Sequence, residues 1–325
     1  MKGKKLLIFS ILCIAAGLLC LLFSGVRSSD DLWLAMDRIG AVERQEKKTV
    51  EVSEPFTSLR VQEGSADVQL LPSEDGGCRV VYGEGKYSRC RVSVENGTLT
   101  VVREKEEHSR SGLLSFEDTL PVCIYLPAGD YETLSVSSAS GDVKTSAGLG
   151  FQEAEIETSS GDIRLESLEA ETLSAKTDSG KVKLRGCSAA SLTLESGSGD
   201  QTVKETACSG DGKLHSGSGD IELEDSSFRA LDLSTTSGKT TLSKTVCSGS
   251  VKAESGSGDI RLRKASAASF DFRSTSGNVK GSVVGSVDFI VESSSGSVRT
   301  RGGVRGAAAC RVRTGSGDVD LEIDG

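Results

Sequence analysis

The stretch Ser140-Gly141-Asp142 returns twenty residues later as Ser160-Gly161-Asp162, and its Ser-Gly core keeps returning. Serine precedes glycine at Gly141, Gly161, Gly180, Gly199, Gly219, Gly238, Gly258, Gly277, Gly296 and Gly317, at spacings of 20, 19, 19, 20, 19, 20, 19, 19 and 21 residues. So steady a period marks a solenoid in which each repeat is one coil resting on the last. With each glycine as position zero, −7 and −5 are mostly apolar, as in Leu192/Leu194, Leu231/Leu233 and Phe270/Phe272. So are +2 and +4, as in Ile163/Leu165, Val182/Leu184 and Ile260/Leu262. Alternation by two on both sides of the glycine predicts two short strands with one face inward; a helix needs spacings of three and four.

Position −3 is Ser or Thr throughout, from Ser138 and Thr158 to Thr314. By parity it faces inward at the corner, where a hydroxyl can bond to bent backbone or to the same hydroxyl one coil away. The corner glycine is expected to supply a positive φ. A third apolar set (Leu168, Cys187, Cys208, Phe228, Cys247, Ala267, Val304) predicts a third wall and a roughly triangular parallel β-helix. Ten coils about 4.8 Å apart make a rod on the order of 50 Å. Position +1 places Lys181 and Lys239 each between two aspartates, and position −4 alternates Glu254, Arg273, Glu292, Arg313; both columns favour one register. Gln201, at an inward +2 place, breaks the pattern.

Outside the repeat, the chain of 325 residues divides into segments. A basic tail (1–5) precedes an uncharged apolar run (6–26) long enough to span a bilayer. Lys2, Lys4 and Lys5 precede that run, so the positive-inside rule puts the remainder outside the cytoplasm, on a single-pass anchor in the cell membrane. A cleaved signal peptide is the competing reading. Residues 27–48, with Trp33, form a juxtamembrane stalk; 49–130 an irregular β cap and first coil; 131–325 the regular solenoid. Ala66 falls in the glycine place of that first coil, flanked by Leu59/Val61 and Val68/Leu70. Asn96-Gly97 between Cys90–Val94 and Thr98–Val102 predicts a hairpin that caps the apolar end. The fold class is therefore all-β: a parallel β-solenoid with an N-terminal hairpin cap, preceded by one transmembrane helix.

Asp67-Val-Gln-Leu-Leu-Pro-Ser, Val92-Ser-Val-Glu-Asn-Gly-Thr-Leu-Thr-Val, Val122-Cys-Ile-Tyr-Leu-Pro and the Ser-Gly-Asp coils together resemble the bacterial β-strand-repeat family labelled "putative adhesin". The resemblance covers roughly residues 49–325. It implies an envelope location, often with a membrane anchor and sometimes beside envelope-stress regulators, and it supplies no catalytic residues.

Little chemistry stands out. Seven of nine cysteines lie beyond the apolar run. Cys187, Cys208, Cys247 and Cys310 occupy apolar columns and read as small buried hydrophobes. Cys78 and Cys90 are the candidate disulfide, across a hairpin. No CxxC occurs, His108 and His215 are isolated, and no cofactor or metal is expected. Calcium-binding rolls use a nine-residue period; here the corner itself accounts for Gly-Ser-Gly-Asp. Coils of nearly uniform length build no cleft, and one Trp and four Tyr offer few sugar platforms, so no enzyme is expected. A late basic strip, Arg261, Arg263, Lys280, Arg299 and Arg301, stacks nearly in line. It is the candidate ligand-binding strip for anionic envelope polymers. A net charge of −9 on an exported chain argues against nucleic acid. The expected role is a non-enzymatic surface for adhesion or binding at the envelope. The alternatives are a regulatory partner of a membrane-embedded stress sensor, or a scaffold whose coil ends stack.

Overall fold

The computed structural model describes residues 42–85, 88–105, 116–146 and 148–324, which form strands and turns without a helix. The apolar run 6–26 and Trp33 lie outside the described residues; within them no helix is long and apolar enough to cross a membrane. Two long sheets make up the body. Leu149–Thr158, Leu168–Thr177 and Ser188–Ser196 are successive parallel strands of one, and Ile163–Glu166, Val182–Arg185 and Gln201–Lys204 of the other. Register follows the repeat: Leu173 lies opposite Leu192 and Ala175 opposite Leu194, while Ile163 pairs with Val182. Inward residues alternate with outward ones along each strand, so Leu165, Leu173, Leu184, Leu192 and Leu194 are all within 1% of complete burial.

The third wall is real but partial. In the early coils one long strand wraps both walls, so that Leu149 lies opposite Leu168 within it. In the middle coils the wall separates into Ala207–Cys208, Ser227–Phe228 and Val246–Cys247. Ala267 is half-buried, and Val304, expected inside, is exposed because the wall is lost in its coil.

The cap is a hairpin, as its sequence predicts. Ser88–Glu95 and Thr98–Lys105 pair antiparallel around Asn96 and Gly97, both left-handed at φ 51° and 74°. The second arm continues the parallel ladder onto Ser58–Glu63. On the other sheet Cys78–Glu84 runs antiparallel to both Val122–Leu126 and Glu46–Val52. Among the described residues the first strands are Val42–Arg44, which pairs with Phe116–Asp118, and Glu46–Val52.

At the far end the order of coils departs from the order of the chain. Ala308–Thr314 lies between Ser269–Ser274 and Val287–Ser293, and Val319–Asp324 lies between Val279–Val284 and Val298–Arg301. The last described coil is thus inserted, and residues 287–301 form the outermost one. The inserted coil buries Cys310, Val312, Val319 and Leu321 to within 1%. The outermost coil buries Val287 alone; its other inward residues, Phe289, Val291, Val298 and Thr300, are not buried. The more apolar coil therefore takes the inner place.

Candidate functional site

The repeated corner is the most conspicuous polar construction in the molecule. At −3 the hydroxyl oxygen accepts the amide N–H of the glycine three residues on, as in Thr177 to Gly180 at 2.9 Å and Ser196 to Gly199 at 2.8 Å. The same hydroxyl donates to the glycine carbonyl of the adjacent coil: Thr177 to Gly161 at 3.2 Å, Ser196 to Gly180 at 3.3 Å. Ser138 donates to the carbonyl of its own Gly141 instead, and the Ser255 Oγ is buried without a partner. The +1 aspartates form a second ladder. Oδ1 of Asp67 accepts the amide of Asp142, Asp142 that of Asp162, and Asp162 that of Lys181, at 2.8–2.9 Å. The other carboxylate oxygen takes a cation, as in Lys181 to Asp200 at 3.0 Å and Arg164 to Asp142 at 2.7 Å. The Lys181 ammonium lowers the Asp200 carboxyl below its ordinary range, against the opposing effect of partial burial. Each carboxylate is committed to the neighbouring coil, and among the described residues no cluster of His, Cys, Asp and Glu is arranged to hold a metal.

The corner glycines are not left-handed; none of the ten appears among the positive-φ positions. Close approach excludes a side chain instead. A Cβ on Gly199 would lie 1.7 Å from the carbonyl oxygen of Gly180, and one on Gly180 would lie 1.8 Å from that of Gly161. Positive φ falls six residues later, at Ser167, Gly186, Glu205, Asp225, Lys244 and Lys264, where the second wall turns into the third. That turn carries no fixed residue type, so the repeat gives no sign of it.

The basic residues do not form a continuous strip. Arg261 lies opposite Lys280, but the next residue in that column is Asp320, and Arg299 comes only after it. Glu322 likewise precedes Arg301. Arg301 pairs with Glu322 at 2.9 Å and Asp320 at 3.3 Å, Arg299 with Asp320 at 3.9 Å, and Lys280 with Asp318 at 3.9 Å. Arg261 turns to Asp259 at 3.1 Å, and Arg263 alone of the five has no carboxylate partner among the described residues. Insertion also interrupts the −4 alternation, setting Arg273 beside Arg313, which are neutralised by Glu254 and Glu292 on their far sides.

Cys78 and Cys90 are both free and buried. They belong to different sheets: Cys78 lies opposite Val52, and Cys90 opposite Arg103. Burial pushes the thiol of Cys78 up to about 11, and those of Cys247 and Cys310 to about 12. Cys208 sits opposite Ala189, two residues from Cys187's place, and Phe228 separates it from Cys247. Gln201 is fully buried: its Nε2 donates to the His215 carbonyl at 2.5 Å, while its Oε1 has no partner.

Sequence reasoning missed a buried ion pair in the cap. Glu63 stands in the −3 place of the first coil, in register with Ser138. It meets Arg103 at 2.7 Å with both side chains at most 3% exposed, and Arg103 also donates to the Gly83 carbonyl at 2.6 Å. The only advance sign was a charge in a hydroxyl column.

Two shallow grooves run along the outer walls. One, of about 1110 Å³, includes His215, Glu254, Arg273, Glu292 and Arg313; its carboxylates are paired with arginines and His215 with the Ser234 hydroxyl at 2.8 Å. The other, of about 780 Å³, follows Tyr131, Phe151, Ala170, Ala189 and Cys208.

Among solved structures, the chain is similar to a "putative lipid binding protein" from Parabacteroides distasonis, at 15% identity and a TM-score of 0.49, over 86% of this chain and 98% of that one. It is similar to a "putative adhesin" from the same organism at 14% identity and a TM-score of 0.48, over 86% and 97%. A "putative adhesin" from Bacteroides fragilis matches at 13% and 0.42, over 87% and 99%. No curated protein matches this chain. The Toastrack DUF4097 family, a domain of unknown function, matches residues 56–217 and 210–322, which together take in the solenoid and most of its cap. The chain belongs to the Toastrack DUF4097 family.

Proposed function

We propose that this chain is a non-enzymatic surface protein of the cell envelope, held at the membrane by residues 6–26 and carrying a rigid β-rod outward for adhesion or binding. What supports the reading is the polarity of the rod. The described chain enters at the capped end, where Glu46–Val52 is the outermost strand of its sheet, and the opposite end is formed by residues 287–301. With thirteen steps of about 4.8 Å, the two ends lie about 60 Å apart. Corner carboxylates engaged by backbone and cations, and buried high-pKa thiols, leave the side walls without a reactive constellation among the described residues. Its partners on this reading are the membrane, through the N-terminal helix, and ligands beyond it. Anionic polymers would meet only Arg261, Arg263 and Lys280 as an uninterrupted basic patch.

The test is twofold. A membrane-impermeant amine reagent applied to intact cells should label exposed Lys181, and deletion of the gene should reduce attachment to surfaces or to other cells. Lysines protected until the cells are lysed would overturn the outward topology. Labelling with unchanged attachment would overturn the adhesive role.

A further inference from the structure

The two ends of the rod are finished differently. Five large apolar side chains are exposed among the described residues, and four of them, Val284, Ile290, Val298 and Val304, gather at the far end. Phe289 and Val291 are only partly buried there. Val287–Ser293 pairs on one side with Ala308–Thr314, and Val298–Arg301 on one side with Val319–Asp324. No described strand pairs with the outer edge of either. The segment after Arg301 covers just the start of the first edge, where the Val304 amide donates to the Val287 carbonyl at 2.8 Å. Bare, flat edges of this kind are templates for another strand.

We propose that this end is an interface with a second copy of the chain, joined about a two-fold axis parallel to the plane of the outermost coil and just beyond it. Val287–Ser293 runs toward the Gly296 corner and Val298–Arg301 runs away from it. A two-fold axis passing just beyond that corner therefore lays each strand antiparallel on the other strand of the partner copy. The side chains match in this arrangement. Outward, Ile290 and Glu292 meet Arg299 and Arg301; inward, Phe289 and Val291 meet Val298 and Thr300. Pairing each strand with its own copy would instead bring Asp288 against Glu292, a like-charge contact. The capped end exposes no large apolar side chain among its described residues, so it is the poorer partner for this edge. An isologous contact closes at two copies. Resting on the surface reading above, the pair would join rods whose anchored ends point in opposite directions, so each copy would come from a facing membrane.

Sedimentation velocity of the full chain in detergent tests the contact without reference to topology. Dimers that stop at two are expected, with Glu292→Arg or Ile290→Lys weakening association about tenfold or more. Glu292→Arg combined with Arg299→Glu should recover it. Because those charges also have partners within the chain, a cysteine pair gives a second readout. Glu292→Cys with Arg299→Cys should yield a covalent dimer on oxidation, and neither single variant should. A monomer up to about 100 μM, an open-ended ladder of oligomers, or a covalent dimer from the single variants would each overturn the proposal. Vesicles carrying the full chain report on the other reading. If dimers form in detergent while such vesicles stay dispersed, the contact stands and the reading that places it between facing membranes fails.

Discussion

A methyl group placed on Gly199 would sit 1.7 Å from the carbonyl oxygen of Gly180, whereas one placed on Gly150 would meet nothing within 4 Å. The two residues share a chain and a strand-rich setting, and neither has a positive φ. Gly199→Ala should therefore destabilise by about 3 kcal/mol, the upper range for overpacking, and Gly150→Ala should be nearly neutral. Urea denaturation of the two variants side by side checks this. Equal effects would mean that chain flexibility, and not coil spacing, sets the demand for glycine. The hydroxyl at −3 was legible from the sequence because its column is unbroken and its parity points inward. The reason for glycine was not: positive φ and close approach leave the same letter in the chain. Only the carbonyl of the adjacent coil distinguishes them.

At the scale of elements, the cap depends on Glu63 and Arg103. Their carboxylate and guanidinium are withdrawn from water together, with the Gly64 amide on Glu63 at 2.6 Å and the Gly83 carbonyl on Arg103. Removing one partner leaves a buried charge without its mate, so Arg103→Met should cost about 3–5 kcal/mol. The double variant Glu63→Thr with Arg103→Met, which restores the hydroxyl of the repeat, should recover much of that loss. Thermal unfolding of both variants reads the difference; a double variant as unstable as the single one would show that the charge is not the cause. The hairpin itself was legible, since Asn96-Gly97 dictates its turn. The ion pair was not, because residues 40 apart in sequence become neighbours only once their two strands lie side by side.

For the whole molecule, the decisive feature is the insertion of residues 308–324 between two earlier coils. Acids at 318, 320, 322 and 324 lie between basic neighbours, with Lys280 and Lys264 on one side and Arg299 and Arg301 on the other. In chain order, Lys280 and Arg299 would be adjacent and Leu321 would face the open end. Single exposed pairs contribute little, but this set acts together with the burial of Cys310, Val312, Val319 and Leu321. Solenoids lose structure locally, coil by coil. Asp320→Lys with Glu322→Lys should therefore abolish amide hydrogen-exchange protection in 287–324 and leave 149–265 protected. Uniform loss along the rod, or none, would refute a charge-specified order.

The sequence by itself determined the repeat, the inward faces, the register of neighbouring coils and the hairpin that closes one end. These follow from spacings of two and of nineteen to twenty-one residues, which any solenoid must satisfy locally. Only the tertiary structure decided which coil is last. Strand order at the open end turns on a competition between two coils of nearly the same pattern, settled by which buries more apolar surface and which charges come to lie side by side. The same competition divided the predicted basic strip and left an unpaired, charge-matched edge in its place.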